Sequence, residues 1–345
     1  MLFRSDKLAT SLAAMGVKKG DVVAMVLPNC IQYVVGYYAA AVLGAVPSGV
    51  NPTYKAMEVL HQVKTINAEY ILVLDALYAD MVKPIVNEWK FKKVISTNIA
   101  DLATGLSPIK KFLGKKLKKI PTGVVDHPNT VALLDLLKVT PNVPKIKINA
   151  AEDAATFMMS GGTTGVPKAV ELTHQNVISN AKMCEVFLLN QKPPEGNLNL
   201  GHKTGMMGVL PLFHSFAMTT VMNSSILIGG WMVLFPRPPP TEELLHDITS
   251  LPNDNFFIYC AAEILFQRIA ELPDEVLAKY DIASRLKLCV SGAGPLHDYV
   301  REPFERKTGA KIVEGYGLAE AGPVVSANNF RSEERRVGKE CRSRW

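Results

Sequence analysis

The chain has 345 residues, 48% hydrophobic and 20% charged, with 38 Lys and Arg against 32 Asp and Glu and a formal net charge of +6. That length accommodates two packed lobes, and the composition excludes a disordered or disulfide-stapled chain. The five cysteines, Cys30, Cys184, Cys260, Cys289 and Cys341, stand singly with no CxxC spacing. This fits a reducing compartment, so a cytoplasmic protein is expected, and argues against a zinc site.

In chain order, the opening MLFRSDKLATSLAAMG reads as a charged amphipathic helix without the apolar core or cleavage site of a secretory signal. Residues 21–27 read as a strand, 31–43 as a helix, 45–50 as a strand, 55–65 as a helix and 70–74 as a strand. This alternation predicts βαβ units and a mostly parallel sheet. From about 100 to 150 the chain is richer in Lys and Pro and reads as a connection. Strands follow at 155–159 and 168–172, a helix at 175–188, and strands near 206–210, 231–235 and 287–291. The uncharged stretches 21–55 and 203–237 are each long enough for a membrane span. Pro28-Asn29, Pro47, Pro211 and Gly229-Gly230 break them into the short pieces of a buried α/β core. Two α/β lobes are expected, at 1–150 and 151–330.

The connection contains IKKFLGKKLKKIP. Ile109, Phe112, Leu113, Leu117 and Ile120 share one helical face, with most lysines elsewhere. Such a helix over 109–121 is either a peripheral membrane contact or a solvated surface helix weakened by Gly114.

The strongest signal is MMSGGTTGVPKAVELTH at 158–174. An apolar strand leads into Ser160-Gly161-Gly162-Thr163-Thr164-Gly165. Three glycines let backbone N–H groups approach an anion, three hydroxyls add donors, and Lys168 supplies positive charge. It is not a G-x-x-x-x-G-K-[ST] loop, because Ala169 follows the lysine and a strand pattern, rather than a helix, comes next. The bland alternative is a glycine-rich hairpin with solvated hydroxyls.

This string resembles the phosphate-binding signature of AMP-forming acyl-CoA synthetases, luciferases and peptide-synthetase adenylation domains. LPLFHSFAM at 210–218 resembles the family's P-L-F-H-x-x-G segment, SGAGPL at 291–296 its adenine-side strand end, and EGYGLAEAGP at 314–323 its Y-G-x-T-E segment. GVKKGDVVAMVLPN and VLGAVPSGVNPTY are also typical of its amino-terminal part. The resemblance implies the large N-terminal domain of an adenylate-forming enzyme, and a reaction that uses ATP, Mg2+, CoA and a fatty acid. It implies that Ser160, Gly161, Gly162, Thr163, Thr164, Gly165 and Lys168 surround the ATP phosphates. Gly292 and Ala293 would pass the adenine, Tyr316 stack on it, and Glu320 hold magnesium. His214 and Phe213 would border the acyl site and the CoA path. Lys168, Thr163, Glu320 and His214 would be the catalytic set. Considered alone, His214 and Tyr316 are ordinary core residues.

Three positions depart from the family pattern: Ala319 stands for the Thr of Y-G-x-T-E, Ala169 for the Gly after the lysine, and Ala217 for the Gly closing P-L-F-H-x-x-G. Gly317 lies where acetyl-CoA synthetases carry a pocket-closing Trp. This implies an open pocket for a medium- or long-chain acid; a hydroxycinnamate-type aryl acid is the alternative, and a non-catalytic nucleotide- or acyl-binding protein is the competing class. Residues 331–345, RSEERRVGKECRSRW, carry six basic and three acidic side chains with no helical or strand period. The string is similar to a translated short-read sequencing adapter and is expected not to be native; the alternative is a basic disordered tail. Without it the balance is 32 basic to 29 acidic, an ordinary ratio with no call for nucleic acid. On this view the family's β-barrel lobe and carboxy-terminal domain, with its adenylation lysine, are missing.

Overall fold

The computed structural model describes residues 2–161, 167–190, 200–250 and 255–329. The chain folds as two compact units, Met1–Val177 with Pro211–His214, and Ile178–Leu210 with Ser215–Trp345.

In the first unit, α1 (Leu2–Ala14) precedes β1 (Val22–Val26), α2 (Ile31–Val42), β2 (Val46–Val50), α3 (Ala56–Thr65), β3 (Tyr70–Leu74), α4 (Asp75–Met81) and β4 (Lys93–Thr97). Then come α5 (Pro108–Lys116), β5 (Thr130–Ala132) and α6 (Leu133–Leu136). The five strands form a parallel sheet in the order β2-β1-β3-β4-β5. Every residue of β1, β2 and β3 is buried, as expected of parallel strands covered on both faces, and this is why β1 and β3 are apolar without alternation. The hairpin β6 (Ala154–Ser160) and β7 (Lys168–Thr173) is antiparallel and is anchored on β2. Thr156 donates to the Pro47 carbonyl at 2.8 Å and Ser48 to the Phe157 carbonyl at 2.9 Å. Those bonds group the hairpin with the first unit, whereas the sequence placed it after a boundary at 150.

The chain passes from one unit to the other within α7 (His174–Asn190). The second unit carries a sheet in the order β13-β12-β11-β10-β8-β9, built from β8 (Thr204–Gly208), β9 (Trp231–Leu234), β10 (Phe256–Ala261), β11 (Leu286–Ser291), β12 (Ile312–Gly317) and β13 (Val324–Ala327). All its pairs are parallel except β12–β13. Its core stacks Tyr259, Phe266 and Phe304 edge to face, with ring centroids 5.2 and 5.3 Å apart. Such pairs are worth about 0.5–1.5 kcal/mol each beyond the area they bury.

The stretches 21–55 and 203–237 are therefore strand–helix–strand pieces of two sheets, and among the described residues no helix is long and apolar enough to cross a membrane. The expected helix at 109–121 is shorter. It ends at Lys116, Lys118 takes a left-handed φ of 56°, and Ile120 folds back over Gly114 instead of extending the helical face.

Candidate active site

The hairpin β6–β7 sets the two ends of the glycine-rich loop. Ser160 pairs with Lys168 across the last step of the ladder, so the loop leaves and re-enters between these two residues. Lys168 is exposed and Ser160 partly buried. A Cβ at Gly161 would meet nothing within 4 Å, which leaves the approach to the backbone there open. His61 of α3 lies 3.1 Å from the Pro167 carbonyl and steadies the returning end. Gly162, Thr163, Thr164 and Gly165 lie outside the described residues.

At the end of the same hairpin, β7 passes directly into His174. Burial lowers the pKa of this histidine below its ordinary 6.5; Asp153 works against that shift, and Nε2 is buried without a hydrogen-bond partner. The Asp153 carboxyl is held below its usual value, first by its hydrogen bond with Lys19.

Phe213 and His214 are held from the first sheet. The buried Asn29 accepts a hydrogen bond from the Leu212 N–H at 2.8 Å, and the buried Tyr33 hydroxyl donates to the Leu212 carbonyl at 3.2 Å. Both main-chain groups of Leu212 are thus fixed immediately before the two rings, whose centroids lie 4.6 Å apart. Burial raises the Tyr33 phenol far above its ordinary value, so it stays a donor at any working pH. Gly49 completes the arrangement: a Cβ there would run into the Tyr33 hydroxyl and come within 2.9 Å of the Phe213 Cα. His214 is exposed, yet desolvation by the surrounding protein lowers its pKa below 6.5, so the ring is neutral near pH 7.

In the second unit β11 delivers Ser291-Gly292-Ala293. Gly292 donates its N–H to the Ala261 carbonyl at 3.1 Å, and a Cβ on it would meet the Phe216 ring at 2.9 Å. Ala293 adopts a left-handed φ of 65°, uncommon for a residue with a Cβ. The Ser291 hydroxyl is buried with no partner. β12 ends with Tyr316, 65% exposed, and Gly317. Glu320 is exposed on the one-turn helix Ala319–Ala321, and Ala319 is partly buried.

The turn carrying these residues is pinned by side chains that the sequence did not reveal. Asn180 donates to the Val324 carbonyl at 2.8 Å and accepts from the Val324 N–H at 3.0 Å, and Thr219 donates to the Gly322 carbonyl at 3.2 Å. Gly317 also has a structural reason to be glycine. A Cβ there would run into the Pro323 carbonyl oxygen, and that oxygen accepts the Leu318 N–H at 3.0 Å. The missing side chain at 317 is therefore a requirement of the β12–β13 hairpin, whatever it also does for a pocket.

A model of the family described as "AMP-binding enzyme" matches residues 2–342. A long-chain-fatty-acid–CoA ligase of Bacillus subtilis is 34% identical over 327 residues, covering 93% of this chain and 55% of that protein. A probable 4-coumarate–CoA ligase of Dictyostelium discoideum is 27% identical, covering 92% of this chain and 54% of that protein. Among solved structures, a long-chain-fatty-acid–CoA ligase from Archaeoglobus fulgidus superposes with a TM-score of 0.73 at 24% identity, over 96% of this chain and 59% of that one. The chain spans about half the length of the curated relatives it matches.

Proposed function

The chain belongs to the AMP-binding enzyme family, and from that premise we propose that it forms the ATP-binding part of a ligase that activates a medium- or long-chain fatty acid. The carboxylate oxygen attacks the α-phosphorus of ATP, the α–β phosphoanhydride bond breaks, and acyl-AMP and pyrophosphate form. The CoA thiolate then attacks the acyl carbonyl and AMP leaves. The observation that carries this reading is the Ser160–Lys168 pair closing the base of a loop dense in glycine and hydroxyl residues. A cation beside a loop rich in glycine and hydroxyl residues is the chemistry a polyphosphate needs, which supports the reading.

In this reading Thr163, Thr164 and Lys168 hold the phosphates and neutralise charge that builds on the transferred group, which is positioning and electrostatic work. Gly292 and Ala293 give the adenine a close backbone wall, and Tyr316 offers a stacking face. Phe213 and His214 border the acyl site; a neutral His214 can pass a proton or hydrogen-bond without repelling a cation. Magnesium fits the residues present. The exposed Glu320 carboxylate offers one hard oxygen ligand of the kind such a cation takes beside water and phosphate oxygens. When bound it would neutralise phosphate charge.

The relatedness to long-chain-fatty-acid–CoA ligases supports an aliphatic acid; the 4-coumarate–CoA ligase match keeps a hydroxycinnamate-type acid as the second reading. Competition separates them. Binding of acyl-AMP analogues to this chain should favour a palmitoyl over a coumaroyl group, and the reverse order would assign the aryl acid. Absence of any ATP or acyl-AMP binding would overturn both.

A further inference from the structure

The helix α5 turns its charged side inward and its apolar side outward. Lys111 donates to the Asp101 carbonyl at 2.9 Å, and Lys115 lies 3.7 Å from the Asp101 carboxylate. The opposite face leaves Ile109 72%, Phe112 66%, Leu113 46% and Leu117 63% exposed. A surface helix of a globular protein normally does the reverse.

The helix is nonetheless well built. Ser107 caps it by accepting the Lys110 N–H at 3.3 Å, Pro108 opens it, and Lys115 and Lys116 stand at its negative end. The Gly114 carbonyl accepts the N–H groups of Lys119 and Ile120 at 2.9 and 3.0 Å, which closes it. Around the apolar face Lys110, Lys116, Lys118 and Lys119 are exposed, and residues 102–125 contain no acidic side chain.

We propose that this face of α5 docks on an anionic lipid bilayer, the helix lying in the interface with its lysines at the headgroups. Charge selects this occupant. A second copy would bring two rings of lysines together, and a nine-residue helix offers far less area than the roughly 800 Å² per partner that a stable dimer buries. An anionic interface takes both the apolar side chains and the lysines. Such docking would hold the chain where a long-chain acid partitions; that consequence alone rests on the proposed substrate.

The experiment is vesicle co-sedimentation with phosphatidylcholine alone and with added phosphatidylglycerol, at low and high salt. The chain should sediment only with the anionic vesicles and be released by salt. Phe112→Gln combined with Leu117→Gln should weaken partitioning about tenfold or more. Lys118→Gln with Lys119→Gln should weaken it about fivefold per lysine at low salt. All these side chains are exposed, so the unfolding midpoint should not move. The basic residues of 331–345 are present in every variant and cancel. A Phe112→Trp variant should shift its emission to the blue on vesicle addition and not on raising protein concentration. Sedimentation unaffected by the Phe112/Leu117 pair, equal binding to neutral vesicles, or a lipid-independent blue shift marking a second copy on this face would each overturn the proposal. None of these results depends on ATP binding.

Discussion

Gly317→Ala tests whether the glycine of the Tyr316–Glu320 turn serves packing. The added Cβ meets the Pro323 carbonyl oxygen and lies 3.1 Å from its carbon and 3.4 Å from the Val324 Cα. These are backbone atoms that cannot rotate away. Relief means opening the β12–β13 pair at Gly317–Val324 and lengthening the Leu318 N–H to Pro323 bond. Overpacking of this kind costs about 1–3 kcal/mol, and a weakened backbone hydrogen bond adds about 0.5–1.5 kcal/mol. Urea unfolding should therefore show a loss of about 2–4 kcal/mol by these principles. Gly161→Ala, with open space at its Cβ, should stay within about 0.5 kcal/mol of the parent. If Gly317→Ala unfolds at the parent midpoint, the turn has slack, and the absent side chain would have to be explained by ligand size alone.

Other perturbations read other parts of the site. Asn29→Ala leaves the buried Leu212 N–H without its acceptor and should cost about 1–3 kcal/mol, measured by chemical denaturation; Tyr33→Phe, which removes only the donor to the Leu212 carbonyl, should cost less. The pH dependence follows from His174, whose folded pKa is lowered by burial from 6.5. Above 6.5 the ring is neutral in both states, while below it the unfolded chain takes up a proton the folded chain resists. Stability should thus fall as pH drops below 6.5 toward the lowered folded value, with His127 and His214 acting in the same direction. His174→Gln should flatten that slope, and an unchanged slope would remove His174 as its source.

The sequence showed strands such as β1 and β3 because a parallel strand buried on both faces is an unbroken apolar run between turn residues. It hid β4 because KVIST follows directly on the charged WKFK, and β10 because a six-residue apolar run has no period that separates strand from helix. The glycine and hydroxyl density around Lys168 was legible for a comparable local reason. Asn29, Tyr33 and Thr219 were not, since each holds a backbone group more than a hundred residues away along the chain. Periodicity likewise put Ile109, Phe112, Leu113 and Leu117 of α5 on one face, but could not tell whether that face meets the core or the solvent.

Lys168 is proposed to hold the phosphates of ATP, and calorimetric titration of the chain with Mg-ATP decides it. Binding should be measurable and should weaken about tenfold to a hundredfold in Lys168→Ala, the equivalent of one charge-assisted hydrogen bond of about 1.5–3 kcal/mol, with the unfolding midpoint unchanged because Lys168 is exposed. No binding by the parent chain, or equal affinity in Lys168→Ala, would contradict it.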